Sequence, residues 1–458
     1  MDTAAQIKMA SSTSWRSHFV GTLTLGLPLV GAQLAQYLIH TTDVLIVGQL
    51  GTVELAAIVL SAQYFFTLFI FGSGFSAASI PLAAQAEGRG DKTTVRRAIR
   101  MGMWVSLLYA VLVMPLFIYS EPILLFLGQK PDVASLATEY LHIIGIGMFP
   151  ALMVMCLRSF LSALERAREI LLTTIAMLIF NAIFAYIFVL GRFGAPSLGL
   201  AGAAMVAIAA QCFALIIMVI YTNRKLSAYE LFVRFWRPDW EAFFDVIRLG
   251  LPISISILAE VSLFTVASLM MGWIGTNELA AHGIALQYAS MAFMIPLGLS
   301  QAATVRVGIA AGRGEYEAVR RAAIAALVLA AAVALLGAML YLFQHNNLAS
   351  LYVDNTDPDA AAVIAIAGPF IVIAGIFQLF DGLQAIGAGL ARGLKDSTVP
   401  MILALISYWA IGFPAAYILA FPLEVGGNGI WFGFLGGLFA AAILMNLRFF
   451  AQLKKASR

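Results

Sequence analysis

Three carboxylic acids stand where a charge is expensive. Asp43, Glu260 and Asp381 each lie deep inside a long apolar run. A charged side chain at that depth in a bilayer is costly, and by default it marks function. The residues around them follow helical spacing. Gln33, Gln36, Tyr37, His40 and Asp43 fall at i, i+3, i+4, i+7 and i+10, one face of a helix. Gln378, Asp381 and Gln384 repeat the device, and Ser256, Glu260 and Phe264 stand at i, i+4 and i+8. One polar stripe could be interhelical glue, worth about 0.6–2 kcal/mol per bond. Three stripes that carry all the deep acids favour a cavity. The structural alternative for each acid is a protonated carboxyl hydrogen-bonded to a neighbouring helix.

The chemistry open to these groups is ion and ligand binding. Oxygen donors suit Na⁺, and Glu260 and Asp381 with nearby amide oxygens could supply a site. The same carboxyls could instead take up H⁺, since burial and like charge penalise their ionised forms. Tyr37, Phe264, Tyr288 and Phe377 are placed near the acids by helical position, with Gln287 beside Tyr288. Such aromatic groups would suit flat organic cations. Catalysis is not expected. There is no clustered DDxxD-type acid group and no His-centred site at a membrane face, so a polytopic transferase lacks its residues. His40 and His282 read as packed or hydrogen-bonded groups, Cys156 and Cys212 as core thiols. The GRGD and GRGE segments at 88–91 and 312–315 read as turns rather than phosphate loops.

The elements that must position these residues are membrane helices. Of 458 residues 62% are hydrophobic and 11% charged, with mean hydropathy +0.93, which excludes soluble, disordered and disulfide-rich classes. A net charge of +3, with 27 Lys and Arg spread along the chain, excludes a nucleic-acid partner. Runs long enough to cross a bilayer occur at about 19–47, 54–83, 99–120, 136–158, 169–191, 199–222, 246–273, 279–308, 320–342, 361–389, 398–420 and 427–449. Pro28, Pro252 and Pro296 are expected kink points. No ten-residue alternating segments point to a β-barrel.

With the N-terminus assigned to the cytoplasm, 25 of the 27 Lys and Arg, among them Lys8, Arg392 and Arg458, fall on the inside, and only Lys130 and Arg192 outside. That satisfies the positive-inside rule and puts both termini in the cytoplasm. The first 18 residues carry no apolar core, so no cleavable leader is expected. No Lys or Arg is expected at the depth of the acids. Arg306 comes nearest, at the cytoplasmic end of the eighth run.

Shifted by 224 residues, the chain matches itself without a gap. LGLP at 25–28 meets LGLP at 249–252, ELAA at 54–57 meets ELAA at 278–281, and 29 of the 74 positions from 25 to 98 are identical to their partners. Six spans separate equivalent points, so the halves share one orientation. The expected fold is all-α, with twelve transmembrane helices in two homologous six-helix bundles related by a pseudo-two-fold along the membrane normal. The lobes are expected at 1–222 and 248–458, with a cytoplasmic connector at 223–247. Its WRPDWEAFFDV stretch reads as an interfacial amphipathic segment anchored by Trp236 and Trp240. The register also sets Glu260 opposite Gln36 and Asp43 opposite Ala267. Equivalent frames thus carry unequal charges. That suggests ion coupling at Glu260 and Asp381, and proton or substrate binding at Asp43.

The segments LGLPLVGAQLAQYLIHTTDVLIVGQLGTVELAA, LGLPISISILAEVSLFTVASLMMGWIGTNELAAHGIALQY and LARGLKDSTVP resemble the multidrug and toxic compound extrusion (MATE) family, NorM-like branch. The resemblance covers essentially the whole chain. It implies a monomeric bacterial inner-membrane antiporter without a cofactor, exchanging Na⁺ or H⁺ for organic, mostly cationic, drugs and toxins. It carries Asp43, Glu260 and Asp381 over as cation-linked acids. Two positions depart from the family pattern. Gly283 follows His282 where Gln is usual, and Ala185 stands where Asn or Asp is often found. The charge count predicts an acidic central cavity between the halves that prefers organic cations. The nearest rival is a lipid-linked precursor flippase of the same superfamily. Such flippases show fourteen spans and a cationic cavity.

Overall fold

The computed structural model describes residues 14–353 and 359–457. Lys8 and Arg458, both used in the topology count, lie outside the described residues. The first half contributes α1 (Trp15–Val47), α2 (Thr52–Gly88), α3 (Lys92–Ile118), α4 (Ser120–Phe126), α5 (Pro131–Ile144), α6 (Met148–Ala163), α7 (Ala167–Leu190) and α8 (Gly199–Lys225). The second contributes α9 (Trp240–Ile274), α10 (Thr276–Gly312), α11 (Tyr316–Ser350), α12 (Ala360–Gly393), α13 (Thr398–Leu405), α14 (Phe413–Ala420) and α15 (Gly427–Ala456). A 3₁₀ turn at Gly145–Gly147 joins α5 to α6, and a π-helical segment, Ile406–Gly412, joins α13 to α14. With these joins the described residues form twelve helices long and apolar enough to cross a membrane. Several exceed the need. The 33 residues of α1 rise about 50 Å, against a hydrocarbon core of about 30 Å. Pro28, Pro252 and Pro296 lie inside continuous helices.

Local sequence explains the helix ends. In the first GRGD turn Gly90 adopts φ 75°, and Asp91 caps α3 by accepting from the Thr94 amide at 3.0 Å. The second turn repeats the left-handed glycine, with Gly314 at φ 74°. Glu315 stands in the cap position there without a side-chain cap bond.

Two compact units emerge, Gly31–Ser254 and Met1–Val30 with Ile255–Arg458. The cuts fall inside α1 and α9, at positions 224 residues apart. Matching close contacts occur beside the two cuts. A Cβ on Gly298 would lie 2.6 Å from the Val30 backbone nitrogen, and one on Gly74 would lie 2.6 Å from that of Ser254. Gly74 and Gly298 are repeat partners, as are Val30 and Ser254. In each unit, then, α10 or α2 meets a partner backbone at a position where only hydrogen fits.

Each unit has its own core. In 31–254 it gathers Phe117, Tyr140, Leu141 and Leu152; in the other it gathers Phe370, Phe377, Tyr408 and Trp431. Both cysteines are free. Cys156 is buried against Ser76 at 3.2 Å, and Cys212 is partly buried.

The connector between α8 and α9 is folded onto the start of α3. Arg96 pairs with Glu230 at 2.7 Å, and Arg97 pairs with Asp239 and, at 2.8 Å, with Glu241. Hydrogen bonds from Arg97 hold the Asp239 carboxyl below the usual carboxylate range.

Candidate functional site

The second-half acids meet in one cluster built from three spans. Glu260 comes from α9, Asp381 and Gln384 come from successive turns of α12, and Tyr408 comes from the π-helical segment. Asp381 is 5% exposed, Gln384 4% and Tyr408 0%. Gln384 Nε2 donates to Tyr408 Oη at 2.5 Å. Trp409, the next residue, donates from Nε1 to the Ala259 carbonyl at 3.3 Å, beside Glu260. A π-helix shifts side chains relative to an α-helix and often marks a functional place. Here it aims two consecutive aromatic residues at the acid-bearing helices.

Three oxygens of the cluster are among the buried polar atoms that no protein donor meets. Asp381 Oδ1 and Gln384 Oε1 are buried without a donor, as is Ser407 Oγ next to Tyr408. Buried acceptors in that condition are uncommon and call for an explanation, an ion being one. The donor set consists of carboxylate, amide and hydroxyl oxygens, hard ligands that fit an alkali cation or a proton.

The cluster also holds a base. Arg392, in the last turn of α12, lies within electrostatic reach of Glu260 and Tyr408, and Asp381 lies within reach of Glu260. No base was expected near the acids; Arg392 bears on Glu260 electrostatically. Arg392 follows Asp381 by eleven residues, three helical turns on the same face, and its long stem reaches back toward the acids. With both acids ionised the cluster carries a net charge of −1 (two carboxylates and one guanidinium).

Aromatic rings wall this side of the unit. Phe264 meets Phe377 edge-on at 5.9 Å, Phe377 meets Trp431 at 5.5 Å, and His282 lies 5.5 Å from Trp431. Tyr288 is engaged within the core. It donates to the Leu348 carbonyl at 2.9 Å and its own carbonyl accepts from Tyr341. Gln378 donates to Ala334 at 3.3 Å, and Gln287 is exposed.

The first-half acid has a different setting. Asp43 Oδ1 accepts from Asn181 Nδ2 at 2.6 Å, and Asn181, on α7, is fully buried. Tyr140 of α5 lies within electrostatic reach. Gln33, Gln36 and Tyr37 are partly buried along the same face of α1, and His40 is exposed. Arg158 of α6 reaches Gln36 Oε1 at 3.5 Å, the outer limit of a hydrogen bond.

Sequence reasoning missed Arg392 and Arg158 because it assigned both to cytoplasmic ends. The i+11 spacing from Asp381 was the available signal for Arg392. Asn181 was visible as an isolated amide in an apolar span. Tyr408 had no signal beyond a hydroxyl in an apolar run, because a π-helical turn breaks the 3.6-residue register.

The MatE family model matches residues 28–187 and 252–418. The two matches begin at repeat-equivalent prolines, Pro28 and Pro252. "Probable multidrug resistance protein NorM" of Rhizobium meliloti (strain 1021) is 59% identical over 98% of this chain and 96% of its own. The protein of the same name in Agrobacterium fabrum (strain C58 / ATCC 33970) is 55% identical over 98% and 97%. Among solved structures, a multidrug resistance MATE family transporter of the MOP superfamily in an outward-facing conformation superposes with TM-score 0.88, at 20% identity over 98% of each chain. The chain belongs to the MATE family of transporters, in its NorM-like branch.

Proposed function

We propose that this protein is a secondary multidrug efflux antiporter of the bacterial inner membrane. It exchanges a small cation, Na⁺ or H⁺, for organic cations, acts as a monomer and keeps both termini in the cytoplasm. The names of the R. meliloti and A. fabrum relatives support the drug substrates. The observation that carries the coupling is the pair of buried acceptors, Asp381 Oδ1 and Gln384 Oε1, beside Glu260.

The division of labour follows from charge. At net −1 the second-half cluster is neutralised by one monovalent cation, so one ion per cycle is the expected stoichiometry at this cluster. Na⁺ is favoured over H⁺ because the set offers amide and hydroxyl oxygens besides the carboxylates. Asp43, held by Asn181 at one oxygen, offers negative charge to an organic cation, with Tyr37 nearby for cation–π contact. Coupling requires that each ligand prefer a different conformation; tight binding alone moves nothing.

The test is efflux of an aromatic cation from proteoliposomes under separate Na⁺ and H⁺ gradients. The expected result is efflux driven by the Na⁺ gradient and lost in Glu260→Gln. Efflux indifferent to both gradients would refute antiport.

A further inference from the structure

The connector offers a second kind of site, on the surface of the unit 31–254. Its residues 226–239 do not run as a loose link. Arg100 points its guanidinium into a ring of backbone carbonyls, with Val233 O at 2.6 Å, Leu231 O at 3.3 Å and Arg234 O at 3.4 Å. Trp104 Nε1 donates to Phe235 O at 3.0 Å. To close this ring the chain places two non-glycine residues in the left-handed region, Glu230 at φ 48° and Arg234 at φ 55°. Such conformations persist where the surroundings over-determine them.

The charges sort into an inner and an outer set. The inner set balances, with Arg96, Arg97 and Arg100 against Glu230, Asp239 and Glu241. Every acid between 226 and 241 is consumed there. Arg234 and Arg237 are left exposed, with no ion pair among the described residues. Beside them Trp236 is 75% exposed and Trp240 59%, and Phe244 is exposed too. Next to this patch a cleft of about 300 Å³ opens between the end of α8 and the connector, lined by Thr222, Asn223, Ser227, Glu230 and Val233. Thr222 Oγ1, 1% exposed as a residue, lines that side with no hydrogen-bond partner. Arg320 and Arg321, the repeat partners of Arg96 and Arg97, pair locally with Glu317.

We propose that this patch binds an anionic phospholipid with a hydroxylated headgroup, of the phosphatidylglycerol type, from the leaflet at this end of the spans. Arg234 and Arg237 hold the phosphate. The hydroxyl-bearing headgroup enters the cleft, where Thr222, Ser227 and the Glu230 carboxylate offer hydrogen bonds. Trp236, Trp240 and Phe244 rest at the level of the glycerol and upper acyl chains. A lipid fits better than free phosphate because the unpaired cations are interleaved with exposed aromatic residues.

The experiment is lipid binding to the delipidated, purified full chain by native mass spectrometry, comparing phosphatidylglycerol with phosphatidylcholine of the same acyl chains. Wild type is expected to prefer phosphatidylglycerol, and the preference should weaken as salt is raised. Arg234→Gln with Arg237→Gln should lower phosphatidylglycerol affinity by roughly fivefold per arginine and leave phosphatidylcholine unchanged, while the double Lys variant retains most of the preference. Equal binding of the two lipids by wild type, or a preference unmoved by salt, would overturn the proposal even if the Gln variant failed to fold. So would a folded Gln variant that keeps the full preference.

Discussion

The two halves share a frame and furnish it differently. In the first, one acid is tied down: Asp43 takes a 2.6 Å hydrogen bond from Asn181, and Arg158 faces an amide, Gln36. In the second, the repeat partner of Gln36 is Glu260, Arg392 lies within its reach, and Asp381 and Gln384 present oxygens that no donor satisfies. Each half therefore sets an arginine near the same repeat position, but only the second sets an acid there. The repeat supplies matching helices, and the polar residues on them differ between the halves. Under the proposed function the first holds a bulky cation by one anchored carboxylate, and the second takes up and releases a small one.

The largest effects should come from the second half. Glu260→Gln and Asp381→Asn are each expected to abolish gradient-driven efflux while the protein still inserts and elutes as a folded species. Near-normal transport by both would make the acids structural hydrogen-bonders and erase the distinction between the halves. Arg392→Gln should act in the opposite sense on binding. Without the guanidinium the cluster stands at −2, so cation affinity should rise on the order of tenfold while turnover slows through tardy release. Unchanged cation affinity would remove Arg392 from the cluster.

Smaller effects test the supporting contacts. Tyr408→Phe leaves Gln384 Nε2 without its acceptor, and Asn181→Ala leaves Asp43 without its donor. Each is expected to cost about 1–3 kcal/mol of stability, read as a lower unfolding temperature. Only Tyr408→Phe should also shift the cation dependence of transport. If Asn181→Ala shifts it as much, ion coupling is not confined to the second half.

The smallest effect concerns pH at the connector. Arg97 holds the Asp239 carboxyl below its ordinary range, so the pair's contribution is complete above the unfolded value, about 3.9. It is lost as pH falls through the lowered folded value. Proteolysis of the connector should therefore stay slow through mildly acidic pH and accelerate only in stronger acid. In Arg97→Gln it should be fast throughout.

The helices were legible because a bilayer leaves few choices: twelve apolar runs, a charge bias between loops and a gapless repeat. The deep acids were legible because polar side chains stand out on an apolar face. What stayed hidden depended on reach and register. Arg392 looked cytoplasmic by position, yet its side chain extends back toward Glu260. Tyr408 and Trp409 meet the acid helices from a segment, Ile406–Gly412, wound as a π-helix, which no 3.6-residue pattern announces. The pairing of Asn181 with Asp43 joins spans 138 residues apart, beyond any local spacing rule. The unit boundaries fell inside α1 and α9, beside the close backbone approaches at Gly74 and Gly298, which a hydropathy profile cannot see.

On the proposed function, ion coupling resides in the second half and not at Asp43. Radiolabelled Na⁺ binding to the purified protein, with H⁺ release recorded in the same samples, tests it most directly in wild type, Glu260→Gln, Asp381→Asn and Asp43→Asn. One Na⁺ per chain is expected in wild type and in Asp43→Asn, and none in either second-half variant. Loss of binding in Asp43→Asn, or its survival in both Glu260→Gln and Asp381→Asn, would contradict it.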